Sequence, residues 1–507
     1  MAESPSSLLE PKSTSLIPVH EPAKSTPRRF STEEQGGERQ YIVGWEQPED
    51  RDPENPLNWT RWQKWSIIGV LTFLSFLVPL ASSALAPGVP QILTEFHNDN
   101  KSLATFVVSV FVLGFAFGPL VIAPLGELYG RTIVYLGCNT LFIVFTVACA
   151  LSTNIGMLIV FRFLAGSAGV VVLTNGSGTI VDLLPRDQRG RAISLWSGGP
   201  LLGPIVGPVF GGFLVESIGW RWVFWVIAIA YGVGTLASCA VFRETYAPRI
   251  LERKAARLRK ETGNPQYQSM LRKKGSAKQL WLSAIARPVR MSVRSPIVAI
   301  TSAYIAIVYG VIYILFTTFT FVFEEKYNFS ARSAGLVFIA GGVGNIIGQA
   351  FVGIYSDKVV QRNESRGKEP HPEDRLNLVM TVPIALTPPA GIILYGWTTQ
   401  SGVHWIVPLI STGILGFGTL GLFTVTLTYL VEAFEQHAAS VTAANTVWRS
   451  ILGAVLPLFG LQLYDHLGLG WGNTLLGLIL LALAPVLWVL HKFGRQIRLN
   501  PKLQKEF

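Results

Sequence analysis

The chain has 507 residues, half of them hydrophobic and only 14% charged, with a mean hydropathy of +0.40. A water-soluble chain carries roughly 25% charged residues, so the composition argues against ordinary soluble domains and against a disordered or fibrous chain. The net charge of +11 does not mark a nucleic-acid binder, because the basic residues fall between long apolar runs rather than in one patch. Cys138, Cys149 and Cys239 all lie within apolar runs. An odd, embedded set is neither a disulfide framework nor a metal site.

Residues 1–64 are rich in Ser, Pro and charge and lack the pattern of a signal or transit peptide. They are expected to form a disordered tail. Twelve apolar stretches follow, at 65–86, 103–123, 133–151, 157–181, 192–214, 222–242, 297–323, 334–355, 378–396, 405–430, 438–463 and 471–490. Each has the length of a helix crossing a hydrocarbon core of about 30 Å. They are continuously apolar rather than alternating, which excludes a β-barrel and leaves an all-α membrane protein. The segment 243–294 divides them six and six. The expected organisation is a six-helix bundle at 65–242, a basic linker, a second bundle at 295–493 and a short tail at 494–507.

With the N-terminus placed in the cytoplasm, 36 Lys and Arg fall on the cytoplasmic side and 4 on the other. That asymmetry puts both termini in the cytoplasm. The linker carries 14 basic and 3 acidic residues. Its stretch 251–260 reads as a basic helix lying on an anionic leaflet.

Span 2 ends in Gly118-Pro-Leu-Val-Ile-Ala-Pro-Leu-Gly-Glu-Leu-Tyr-Gly-Arg131. Gly126 and Gly130 permit a tight turn, and Glu127 and Arg131 can pair at the mouth. A thinner copy after span 8 retains Gly353 and Asp357. Arg162 stands inside span 4, where an embedded cation costs several kcal/mol unless it faces water or a partner. Span 5 reads Gly198-Gly-Pro-Leu-Leu-Gly-Pro-Ile-Val-Gly-Pro-Val-Phe-Gly-Gly212. Its small residues, Gly203, Gly207, Gly211 and Gly212, allow close helix packing. Pro204 and Pro208, with Pro200, free carbonyls and permit bending.

These strings resemble the major facilitator superfamily. Glu127 and Arg131 match the acid and base of its loop between spans 2 and 3. Arg162 matches a span-4 basic motif, and the Gly/Pro string of span 5 is similar to an antiporter motif found in exporters. Val43-Gly-Trp, Asp52-Pro-Glu-Asn-Pro-Leu-Asn-Trp59, Arg243-Glu-Thr-Tyr-Ala-Pro248 and Tyr429-Leu-Val-Glu-Ala-Phe434 narrow the resemblance to fungal twelve-span drug:proton antiporters. That branch has Asp where this chain has Glu432. The resemblance implies the major facilitator fold, two pseudo-symmetric halves of six helices, and a part for Arg162 in proton transfer.

No Asp or Glu stands near the middle of any span, and the two embedded ionisable residues are Arg162 and Arg449. A substrate cavity is therefore expected to be aromatic and hydroxyl-lined, built from Tyr309, Tyr313, Phe316, Thr317, Asn445 and Arg449, and suited to neutral or weakly anionic organic molecules. Asp182 or Glu432 would titrate at the inner mouth, with Arg162 tuning the outer half. No Walker-type phosphate loop points to ATP, and the histidines do not cluster as a metal or catalytic set. The expectation is a proton-coupled exporter of drugs, toxins or secondary metabolites, not an enzyme. It would be monomeric, without cofactor or metal, in the plasma membrane. An importer of a small nutrient on the same fold is the alternative.

Overall fold

The structure is a computed structural model that describes residues 30–35, 38–46, 48–98, 100–271, 277–365, 371–434 and 437–500. Among the described residues, eleven helices are long and apolar enough to cross a membrane. In lipid every backbone N–H and C=O must find a partner within the protein, so apolar runs of this length become helices. The helices outrun the apolar stretches that announce them. Span 1 is Arg61–Ser83, span 2 Lys101–Tyr129, span 3 Arg131–Ala150, span 5 Arg186–Ile218 and span 6 Arg221–Val241. Span 4, Ile155–Leu183, pauses at Val170. Span 7 is Pro296–Tyr327, span 8 Phe338–Glu364, span 9 Leu378–Gln400 and span 10 Ile406–Ala433.

Polar side chains start several spans by accepting otherwise unpaired N–H groups of the first turn. Thr60 and Gln63 form a reciprocal pair at span 1. Asn100 caps span 2, Asn154 span 4, Ser295 span 7 and Asn377 span 9. The last helical segment runs from residue 440 to 499, 60 residues, across the two apolar stretches 438–463 and 471–490. As one straight helix it would be about 90 Å long, three times the hydrocarbon thickness. It breaks at Gly468, whose φ of 73° and ψ of 167° are not helical and separate two helices. The break falls between the two apolar stretches expected as spans 11 and 12.

Two apolar cores form. One gathers residues such as Leu71, Phe111, Phe142 and Tyr231 from spans 1–6. The other gathers Tyr304, Ile384, Tyr395 and Tyr429 from spans 7–12. A few residues belong to the opposite core. Ala86, Val89, Ala104 and Val108 pack with the second half, and Tyr313 with the first. Hydrogen bonds between the halves lie at the end of the bundle away from the linker. Ser109 donates to the Ala454 carbonyl at 2.9 Å, Thr105 to that of Pro457 at 3.2 Å, and Thr320 to that of Ala86 at 3.3 Å. The bundle is thus closed at that far end.

The described part of the tail departs from the expected disorder, and residues 1–29 lie outside the described residues. Strands β1 (Phe30–Gln35) and β2 (Glu38–Val43) form a hairpin, and β2 pairs in parallel with β3 (Tyr267–Ser269) of the linker. Short strands thereby join an otherwise all-α fold. Asp52 is buried and accepts N–H groups from Glu46 and Glu54. Lys254 of the linker helix Ala247–Thr262 reaches Asp52 at 3.1 Å and Glu46 at 3.3 Å, and Arg257 pairs with Glu54 at 2.9 Å. Burial would raise the Asp52 pKa, but these donors outweigh it and hold the carboxyl below its usual range. The acids of the tail therefore take up basic residues that the sequence assigned to a lipid surface. The exposed apolar face belongs instead to the second linker helix, Ala277–Arg294, at Leu282, Val289 and Val293.

Candidate functional site

The polar residues between the halves form a chain that starts at Arg162. Its side chain is 1% exposed, which excludes snorkelling to headgroups. Span 1 stops at Ser83, so its last carbonyls lack their usual intrahelical donors. Arg162 supplies them, donating to the Ala81 carbonyl at 3.2 Å and the Ser82 carbonyl at 2.9 Å, and to that of Val108 on span 2 at 3.3 Å. A cation at a helix C-terminus also meets the negative end of the helix dipole. The rings of Phe111 and Phe224 cover the guanidinium. Ser82 continues the chain across the interface, its hydroxyl 3.3 Å from the Tyr313 hydroxyl of span 7. Tyr313 packs tilted against Tyr309 at 4.9 Å and edge-to-face against Phe316 at 5.5 Å. The Arg449 guanidinium of span 11 lies 5.1 Å from the Tyr309 ring and 4.8 Å from that of Phe423.

Span 5 is gripped on two sides. A methyl group on Gly199 would lie 2.7 Å from the Ser75 hydroxyl, on Gly203 2.8 Å from the Phe76 carbonyl, and on Gly207 2.8 Å from the Leu80 carbonyl. Gly211 meets the Ala84 carbonyl more closely still. This four-residue repeat is one face of a helix pressed on span 1. Pro200 and Pro208 carry no N–H and so leave the carbonyls of Trp196 and Pro204 free. Span 1 serines satisfy both, Ser75 donating to Trp196 at 3.2 Å and Ser83 to Pro204 at 3.4 Å. The neighbouring face touches the other half. Gly212 abuts the Ala331 carbonyl, Gly335 abuts that of Pro208, and Gly342 packs on Ile205. Beyond them Glu216 accepts the Arg332 N–H at 2.9 Å.

At the linker end the charged motif is tighter than a loop. Spans 2 and 3 are separated by Gly130 alone, at φ 96°. The Glu244 carboxylate fills the space where a side chain at 130 would stand. Glu244 accepts the Arg131 N–H at 2.9 Å. The Arg131 side chain pairs with Asp182 at 3.2 Å and donates to the Asn175 carbonyl at 3.1 Å. Gly126 packs against Asn175. In the second half Arg375 pairs with Glu432 at 2.8 Å and donates to Ser356 at 2.7 Å. Glu373 pairs with Arg498 at 3.3 Å. Each half thus joins the loop after its second span, the end of its fourth span and the segment after its sixth.

This repetition of one charged design in two six-helix units is matched by sequence. The profile described as Major Facilitator Superfamily covers residues 71–457. The chain belongs to the major facilitator superfamily. An efflux pump of Floropilus chiversii, radE, is 48% identical over 463 residues, covering 91% of this chain and 86% of that one. An MFS-type transporter of Penicillium rubens, penM, is 47% identical over 466 residues, covering 92% and 91%. Among solved structures, a D-xylose-proton symporter superposes with a TM-score of 0.63 at 18% identity, covering 84% of this chain and 97% of that one. The likeness to the symporter is one of fold. This superfamily member is a multi-pass membrane transporter and not an enzyme.

Within that fold, Arg162, Tyr309, Tyr313, Phe316 and Arg449 come together. Thr317 does not join them, because its hydroxyl bonds the Tyr313 and Ile314 carbonyls of its own helix. Asn445 is buried on span 11, one helical turn from Arg449. The three residues grouped for proton coupling are separated. Asp182 and Glu432 each hold an arginine at the linker end, and Arg162 lies about 30 Å along span 4 from Asp182 by helix rise. Glu127 ends span 2 beside the motif, and the Asp357 side chain lies outside the described residues. Glu244, Glu373, Arg375, Ser82 and Phe423 are additional members. Glu244 stood in a string that carried the family resemblance. The other four had no local signal.

Proposed function

We propose that this transporter exports small organic molecules, such as drugs, toxins or secondary metabolites, in exchange for protons. The linker end faces the cytoplasm of a plasma-membrane protein, and both termini lie there. The two halves rock about the far-end contacts, and a monomer carries the whole pathway. The observation that carries this reading is the grip on span 5. A helix whose glycine face lies on span 1 while its other face meets span 8 transmits motion between halves without admitting water. The efflux pump among the relatives supports the direction.

Proton coupling falls to the paired carboxylates and Arg162. A proton on Asp182 or Glu432 removes the partner of Arg131 or Arg375 and loosens the linker end. Arg162 holds the end of span 1 and, through Ser82, the Tyr313 contact across the interface. The aromatic residues Tyr309, Tyr313 and Phe316, with Asn445 and Arg449, hold the cargo, and the Gly126-to-Arg131 turn and span 5 gate it.

The test is efflux of neutral Nile red and anionic fluorescein from yeast cells expressing the chain. Outward transport should stop on addition of a protonophore and weaken in Asp182→Asn and Glu432→Gln. Accumulation driven inward by the same gradient would establish import instead. A C-terminal reporter accessible only from outside would overturn the orientation.

A further inference from the structure

We infer that the central site selects organic acids, with Arg449 as the anion-binding group and a flat aromatic body as its companion. This rests on the transport reading and specifies its cargo. Arg449 stands midway along span 11, partly buried, between the rings of Tyr309 and Phe423. Among the described residues no carboxylate pairs with it and no group accepts a hydrogen bond from it, and its Nε is buried without a partner. A guanidinium carries five N–H donors. Ring faces offset part of the charge but accept no ordinary hydrogen bond. The carboxylates at the linker end are already engaged, Asp182 by Arg131 and Glu432 by Arg375. An unpaired cation held in the membrane interior is therefore complementary to an incoming anion, and a carboxylate matches its fork with two oxygens.

The surroundings set the body of the ligand. A cavity lies between spans 5, 7, 8 and 10, lined by Ile205, Phe316, Phe319, Phe338, Asn345 and Thr419. Phe316 is seven residues beyond Tyr309, and Thr419 four residues before Phe423, so the cavity begins about 6–10 Å from the arginine towards the far end. Its volume is about 30 Å³ with the halves together, so the rings of a molecule anchored at Arg449 enter it only as the halves part. The walls are aromatic, and the Thr419 hydroxyl bonds Asn345 at 3.2 Å, leaving a mainly apolar chamber with a polar corner. Tyr309 and Phe423 offer ring faces to the part next to the acid.

The experiment is equilibrium dialysis of the full chain in nanodiscs of zwitterionic lipid, with 2-naphthoate and 2-anthracenecarboxylate against their carboxamides at neutral pH. The acids should bind roughly ten-fold or more tightly than the amides, the scale of one charge-assisted pair. Arg449→Gln should level the two, and Arg449→Lys should keep part of the preference. Equal binding of acid and amide by the unaltered protein overturns the inference, as does a preference that survives Arg449→Gln. Failure of both acids to bind overturns it too. Efflux separates this from the transport reading. Acids that bind through Arg449 but are never moved outward leave the site standing and defeat export. Dye efflux without any acid preference does the reverse.

Discussion

Arg162 and Arg449 are the two arginines inside the spans, one in each half, and they are buried in opposite ways. Arg162 is closed off and donates to three carbonyls at the frayed end of span 1 and on span 2. Arg449 lies between two rings with no acceptor among the described residues. Burial of a guanidinium therefore does not by itself reveal a role. The destination of its donors does. One arginine completes the backbone of a neighbour, and the other has no acceptor among the described residues.

The sharpest test of the contrast is Arg162→Ala. It strands three buried carbonyls, at about 1–3 kcal/mol each, a large share of a stability margin of about 5–15 kcal/mol. Surface biotinylation should show a several-fold loss of protein, and what remains should not couple efflux to a pH gradient. Arg162→Lys should retain part of both. Normal amounts of a working Arg162→Ala protein would break the comparison.

The seam beside Arg162 gives the next effect. Gly211→Leu and Gly207→Leu should leave near-normal protein in the membrane but cut efflux at least about ten-fold, because the added atoms meet span 1 backbone. Gly198→Ala, with nothing within 4 Å of its added atom, is the control and should transport normally. Equal losses at Gly198 and Gly211 would remove the close-packed pivot.

Arg449 should behave unlike Arg162 in stability. Arg449→Gln removes two ring contacts but, among the described residues, no hydrogen bond, so its unfolding in detergent should shift by about 1–2 kcal/mol, less than that of Arg162→Ala. A destabilisation as large as that of Arg162→Ala would mean that Arg449 too serves the fold.

The smallest effect is expected at the tail. The lowered pKa of Asp52 means that its contribution is present at neutral pH and is lost only as pH falls through a value below the usual carboxylate range of about 3.8. Cytosolic acidification should therefore leave the tail docked. Asp52→Asn should expose Arg51 to trypsin in permeabilised cells while changing efflux by less than about two-fold. Tail release at mildly acidic pH in the unaltered protein would contradict this account.

The apolar runs, the six-and-six division, the Gly/Pro face of span 5 and the anomaly of two embedded arginines were all legible in the linear chain. They are local properties, because bilayer thickness sets a length and helix geometry sets a period. Tertiary structure alone decided what those features meet. Ser75 reaches a carbonyl 121 residues away, and Glu244 occupies the space beside Gly130 across more than a hundred residues. Residues 30–43 of the tail, read as disordered from its composition, form strands because the linker supplies a pairing edge. The two apolar stretches 438–463 and 471–490 lie in one helical segment, 440–499, whose interruption at Gly468 only the backbone reveals. The two arginines looked alike in sequence because cost depends on being inside lipid. Their surroundings differ because a hydrogen bond depends on which backbone, folded from elsewhere in the chain, comes within reach, as it does at 2.9, 3.2 and 3.3 Å around Arg162.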